Sequence, residues 1–268
     1  MAVRTPVRRP VAVAVTVTLA VLALGALSGS GPARAATSSR PLTGSITVSA
    51  AASLTTVFTT LAAQFQALHH ATTIALNFGS SAALATQIEQ GAPADVFASA
   101  AQSDMAALQR AGDITGAATT FTRNSLEIVV KPGNPRGIHS LAGLRRARVV
   151  ALCASSAPCG KTAREALFNA GVRLPASRVT LGIDVSATLA QVTAGDADAA
   201  IVYVTNARSL GHLGVGVKIP PSQNVTTSYP IGLVAASRNR ALARAWIAYV
   251  LGPAGQRALR TAGFLAAR

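Results

Sequence analysis

Aromatic and acidic side chains are scarce: Phe, Trp and Tyr make up 4% of the 268 residues, and nine Asp and Glu stand against 24 Lys and Arg. The arginines are scattered and not interleaved with aromatics, which argues against a nucleic-acid interface. Nine dispersed carboxylates offer no cluster for a cation. The four histidines, His69, His70, His139 and His212, lack metal-ligand spacing, and none lies beside a candidate nucleophile. An enzyme is therefore disfavoured, and no cofactor is called for. The adjacent His69 and His70 are read as a solvated helix end favoured by the dipole. Internal repeats are lacking as well.

What is present begins with a leader. Arg4, Arg8 and Arg9 precede an uncharged apolar run from Val11 to Leu27, and Ala33-Arg34-Ala35 has the small-x-small form of a cleavage site. Residues 1–35 are read as a signal peptide, with an uncleaved membrane anchor as the alternative, and Ala36 to Gly44 as a linker. No cysteine stands near that point, which excludes lipid attachment there. The Arg8-Arg9 pair is weak as a twin-arginine signal because Pro10 follows it directly. The net charge is +15, and +11 once the leader's Arg4, Arg8, Arg9 and Arg34 are removed. Such a field speeds the encounter with an anionic solute and favours contact with anionic lipid or wall polymer. The only cysteines, Cys153 and Cys159, lie in the short stretch Leu152 to Gly160 of an exported chain. A disulfide is the expected reading, and two free or merely buried thiols the other.

From Ser45 onward, short Val- and Ile-rich runs alternate with helical stretches. Strands are expected at Ile46 to Ser49, Thr73 to Phe78, Asp95 to Ser99, Leu126 to Val130, Arg148 to Leu152, Val179 to Gly182, Ala199 to Val204 and Ile231 to Ala236. Leu54, Val57, Phe58, Leu61, Phe65 and Leu68 recur at helical spacing and form a core stripe. Further helices are expected at Ala82 to Gln90, Lys161 to Ala170 and Ser186 to Ala194, ended by Gly91, Gly171 and Gly195. Two more follow the last strand, one with Leu242, Trp246, Tyr249 and Val250 on a stripe, the other near Gln256 to Ala262. The alternation predicts an α/β fold of mostly parallel sheets flanked by helices.

In such sheets ligands lie beyond the carboxyl ends of strands, where helix amino termini converge. Ala50-Ala51-Ala52-Ser53 and Gly79-Ser80-Ser81 each put a hydroxyl at a helix start. Either serine could simply cap its own helix, but two such junctions with small neighbours leave room for an anion to meet free N–H groups. A third junction, Cys153 to Thr162, contains Gly160-Lys161-Thr162. It is not a nucleotide P-loop, because Ser155 stands where the pattern needs glycine. The fourth is Gly182 to Ser186, where Asp184 or Ser186 can act as a plain cap. Asn224-Val225-Thr226 fits a glycosylation sequon, a pattern common by chance.

The runs Ala50-Ala51-Ala52-Ser53-Leu54, Phe78-Gly79-Ser80-Ser81, Gly91-Ala92-Pro93-Ala94-Asp95-Val96-Phe97, Asn124-Ser125-Leu126 and Ile201-Val202-Tyr203 occur in that order. Together they resemble the periplasmic molybdate-binding proteins of ABC transporters, within the class II solute-binding proteins, over essentially Ile46 to Arg268. The resemblance implies a two-lobed fold with the ligand cleft between lobes, residues 45–124 plus 228–268 forming one lobe and 125–227 the other. It also implies that Ser53 and Ser81 donate hydroxyl and backbone N–H, Cys159 and Val185 backbone N–H, and Tyr203 its phenol. Cys159 departs from the alanine of well-known relatives, a change a backbone donor tolerates. The function so implied is capture of molybdate, and tungstate with it, by a monomer that serves ABC permease subunits. Another tetrahedral oxyanion such as sulfate, or a basic wall- or membrane-associated interaction protein, is the alternative. A dianion without protons needs only donors, whereas phosphate near neutrality needs an acceptor for its proton; none of the five residues is acidic. Asp184, beside Val185, is expected to point away.

Overall fold

The computed structural model describes residues 1–2 and 41–268, of which 41–268 form one compact unit. The expected leader 1–35 and the start of the linker lie outside the described residues apart from residues 1–2.

Two runs of strand and helix follow one another in the chain. The first comprises β1 (Gly44–Ala51), α1 (Thr55–Leu68), β2 (Thr72–Gly79), α2 (Ser81–Glu89), β3 (Val96–Ala98) and α3 (Gln102–Ala111), and ends in the long β4 (Ile114–Val130). The second comprises β5 (Val150–Cys153), α4 (Pro158–Asn169), β6 (Val179–Gly182), α5 (Val185–Thr193), β7 (Ala199–Tyr203), α6 (Val204–Ser209) and β8 (Val215–Lys218). The chain then returns through β9 (Thr226–Val234) to α7 (Arg240–Leu251) and α8 (Pro253–Ala262).

Strand order is β2-β1-β3-β9-β4-β7-β5-β6, with β8 also on β4. The pairs β1 with β2 and β3, and β5 with β6 and β7, are parallel, as crossover helices require. All pairings of β4 and β9 are antiparallel. Residues 114–125 of β4 pair with β9 and residues 126–130 with β7, so one strand serves both halves of the sheet.

Each half has its own apolar core. In the first, α1 buries Val57, Phe58, Leu61 and Phe65, and Trp246 of α7 meets the edges of Phe58 and Phe65 at 5.7 Å. Edge-to-face pairs of this kind add about 0.5–1.5 kcal/mol each beyond burial. The predicted stripe stops one turn early, since Leu68 is 66% exposed at the helix end. In the second half, Ile128, Val150, Ala163, Leu189 and Ile201 pack around β5 and β7. Gly91, Gly171 and Gly195 hold φ of 84°, 63° and 89° just past their helices, the left-handed turn glycine permits.

The structure differs from the sequence expectation in several places. The expected strand Leu126 to Val130 is only the end of a 17-residue strand. Helices α3 and α6 and strand β8 are additional. Helix α4 starts at Pro158 and not Lys161, with proline at a position where the missing N–H leaves no bond unmade. Cys159 therefore belongs to a helix and Cys153 to a strand, instead of both to a loop.

Candidate functional site

Ser53, Ser81, Cys159, Val185 and Tyr203 line one small gap, walled otherwise by small residues such as Ala52, Gly79 and Ala157. Four of the five stand where a helix begins. Ser53 lies in the 3-10 turn Ala52–Leu54 ahead of α1, Ser81 opens α2, Cys159 is in the first turn of α4, and Val185 opens α5. First-turn N–H groups have no acceptor within their own helix, and the dipole makes that end electropositive. Tyr203 ends β7. A larger cleft along α1, α5 and α8 touches Ser53 but none of the other four.

Neither serine caps its own helix, and α1, α2 and α4 have no side-chain cap. Ser81 Oγ instead accepts from the N–H of Ala100 at 2.9 Å, which leaves its own proton free to donate. Ser53 Oγ lies 2.8 Å from the phenol of Tyr229. Asn124 Nδ2 donates to Thr205 Oγ1 at 2.9 Å and reaches Tyr229 Oη at 3.5 Å. Asn124 Nδ2 can only donate, so Tyr229 Oη accepts from it and can donate to Ser53 Oγ, an arrangement that leaves the Ser53 proton for a further acceptor. Tyr229 escaped the sequence reading, and Asn124 entered it only within the run Asn124-Ser125-Leu126, without a role; the one available signal for the former was a tyrosine placed directly before Pro230 in an otherwise polar run.

Tyr203 is 1% exposed, and its hydroxyl has no hydrogen-bond partner among the described residues. Its ring stands edge-on to Tyr229 at 6.1 Å. Burial pushes the phenols of both tyrosines up, against smaller opposing effects of the Thr162 hydroxyl on Tyr203 and of Ser53 on Tyr229. Both remain protonated donors through the neutral range. Asp184 also lines the gap, but its carboxylate is turned onto its own helix, Oδ1 accepting from the N–H of Ala187 at 2.8 Å.

Cys153 and Cys159 are joined by a disulfide, Cα to Cα 5.8 Å, which ties the end of β5 to the first turn of α4. Arg164 repeats the tie by donating to the carbonyls of Cys153 at 3.1 Å and Gly160 at 2.9 Å. Thr188 links the neighbouring junction, its hydroxyl donating to Asp184 O at 2.7 Å and approaching Cys153 Sγ at 3.3 Å. Two of the four helix starts are thus coupled through one disulfide. Gly160 is explained by packing, not phosphate: a Cβ there would run into the carbonyl of Ala154. Thr162 likewise spends its hydroxyl on Pro158 O at 2.7 Å.

No group of ligating side chains that could hold a metal ion occurs among the described residues, and no helix there is long and apolar enough to cross a membrane.

Residues 46–265 match the family model of the bacterial extracellular solute-binding proteins. The molybdate-binding protein ModA of Mycobacterium tuberculosis (strain H37Rv) is 38% identical over 221 residues, covering 82% of this chain and 84% of that protein. The solved periplasmic molybdate-binding protein of Azotobacter vinelandii matches with a TM-score of 0.74 at 22% identity, over 82% of this chain and 98% of its own. The sulfate-binding protein SubI from Mycobacterium tuberculosis matches with a TM-score of 0.73 at 20% identity, over 82% and 86%. At such identities the solved structures establish the fold, the α/β architecture of periplasmic binding proteins. By the match over residues 46–265, this chain belongs to the bacterial extracellular solute-binding protein family.

Proposed function

We propose that the chain captures molybdate, and tungstate with it, in the gap lined by Ser53, Ser81, Cys159, Val185 and Tyr203, and delivers it to an ABC importer. The observation that carries this reading is the Tyr203 hydroxyl, buried without a partner among the described residues beside a gap whose other polar groups are serine hydroxyls, helix-start N–H groups and the Asp184 carboxylate that is turned onto its own helix. Leaving a buried hydroxyl unpaired costs about 1–3 kcal/mol. An anion in the gap removes that penalty, and hydrogen bonds to a charged group contribute about 1.5–3 kcal/mol each. No cation is needed, and an unpaired buried arginine would burden the ligand-free protein.

The same donors disfavour a protonated phosphate, which needs an acceptor for its proton. Asp184 is the one carboxylate among the residues that line the gap, and its Oδ1 is already committed to Ala187. Among fully deprotonated dianions the name molybdate rests on the 38% identical mycobacterial relative, because a molybdate-binding and a sulfate-binding structure match the fold equally well.

Residues 45–124 with 228–268 and residues 125–227 act as lobes that swing on β4 and β9 near Ser125 and Thr227, closing on the ion and presenting a joint surface to the permease. The protein works as a monomer outside the cytoplasm and performs no covalent chemistry: Ser53 faces a phenol that burial keeps protonated, a donor and not a base.

Thermal unfolding with molybdate, tungstate, sulfate or phosphate in turn tests the reading. At a hundredfold excess over Kd, a specific ligand adds about 2.7 kcal/mol of stability. A larger shift with sulfate transfers the assignment to that anion, and no shift with any of the four removes it.

A further inference from the structure

Five exposed arginines of the second half, 145, 146, 148, 173 and 178, lie at the end opposite the candidate site. Its parallel strands point their carboxyl ends at the gap, so the residues just before each strand lie at the far end. Arg148 precedes β5 and Arg178 precedes β6, while the preceding turn Ala142–Arg146 brings Arg145 and Arg146 to the same end. Helix α4 starts at the gap and runs away from it, which delivers Gly171 and Arg173 there as well.

Hydrogen bonds join these segments. Arg178 Nη1 donates to Arg145 O at 3.1 Å, Arg145 Nη2 to Gly171 O at 3.3 Å, and Arg146 Nη1 to Gly137 O. The guanidiniums are held by neutral carbonyls, so their charge is not cancelled. Asp198 pairs with Lys131 and Arg136 at 3.6 and 3.2 Å, and Asp196 is the other acid in the connection to β7. All five arginines, 145, 146, 148, 173 and 178, are exposed, and none forms an ion pair among the described residues.

An aromatic lies at the rim of this face. Phe168, 83% exposed, stands in the last turn of α4, and its carbonyl accepts from the N–H of Gly171, the residue whose own carbonyl Arg145 holds. A basic face edged by an exposed aromatic fits the headgroup layer of an anionic membrane, where cations meet lipid phosphates and the ring enters the acyl boundary. A soluble anionic polymer would use the arginines but gain nothing from the ring.

We propose that this end of the molecule is a peripheral contact for anionic lipid, independent of the anion site and leaving that site free. The test uses residues 41–268, one compact unit, in co-sedimentation with phosphatidylglycerol-containing and with pure phosphatidylcholine vesicles. Binding is expected to the first only. Combined Arg145→Ser, Arg146→Ser and Arg178→Ser should reduce it about tenfold or more, and Phe168→Ser should reduce what survives at physiological salt. Both variants should still unfold cooperatively, with a molybdate-induced shift that matches the parent's, which separates loss of the lipid contact from misfolding or loss of the anion site. Equal binding to both vesicle types, no binding to either, or binding that soluble polyphosphate abolishes while Phe168→Ser leaves it unchanged would overturn the proposal, the last in favour of a polymer.

Discussion

Ser53 Oγ and Tyr229 Oη meet at 2.8 Å in the interior although 176 residues separate them, so a strand outside the four junctions orients a hydroxyl at the first of them. Tyr203 lies edge-on to the same Tyr229 ring, yet its own hydroxyl has no partner among the described residues. Two buried tyrosines thus differ in what their oxygens do.

Phenylalanine in place of each should separate the two roles. Tyr203→Phe is expected to weaken molybdate binding by about 1.5–3 kcal/mol, roughly ten- to a hundredfold in Kd, without lowering the melting temperature of the ligand-free protein. Tyr229→Phe should destabilise the ligand-free protein by about 1–3 kcal/mol, because Ser53 and Asn124 lose a buried partner. Calorimetric titration and thermal melts read both, and an unchanged Kd for Tyr203→Phe takes it out of the site.

Reduction of the disulfide, or the pair Cys153→Ser with Cys159→Ser, should lower stability by about 2 kcal/mol, the loop-entropy value for so short a ring. Molybdate affinity should fall in addition, since the disulfide fixes the first turn of α4 and touches Thr188 at the start of α5. Titration of the reduced and oxidised protein at a temperature where both are folded checks this; equal Kd values would leave the disulfide a fold staple only.

Gly160→Ala introduces a methyl against the Ala154 carbonyl inside a helix that cannot move without straining the disulfide. Overpacking of this kind costs about 1–3 kcal/mol, and denaturant unfolding should register it. Gly91→Ala makes a useful contrast: its added methyl meets open space, and the penalty comes from the 84° φ alone.

Alkaline pH should reveal the buried phenols. Their folded pKa values lie above the unfolded value, so their contribution is complete below about pH 10 and disappears as pH rises beyond it. The slope is about 1.4 kcal/mol per pH unit for each phenol. Tyr203→Phe should flatten that limb of the stability curve, and an unchanged limb would contradict the burial of its hydroxyl.

Much of this was legible in the sequence because the relevant signals are local. Glycines after helices, Val-rich runs and small residues before serines need only a few neighbours, and they located the parallel strands of both halves and all four junctions, though not β8. The first part of β4 was hidden because Thr115, Thr119, Thr120 and Thr122 read as polar, although β-branched threonine suits a half-exposed strand. Helix α3 offers only Met105 and Leu108 as large apolar buried residues, too few for a periodic stripe. Tyr229, Asn124 and Ala100 act across the chain on Ser53, Thr205 and Ser81, and no spacing rule encodes such contacts. The serines were expected as ordinary caps or as anion donors; only three-dimensional partners distinguish the two.

Strand β4 runs from one half to the other, and β9 pairs along it up to the crossing at Ser125, where β7 takes over. Unfolding either half would strip a full row of backbone bonds from a strand the survivor also needs. The molecule should therefore melt in a single step despite its two cores, and its amide protons along residues 122–130 should exchange last, at the rate of global opening. In the closure proposed above, the segment on which the lobes swing is by that measure the most persistent piece of the structure, and the movement comes from twisting an intact ribbon and not from loosening a joint.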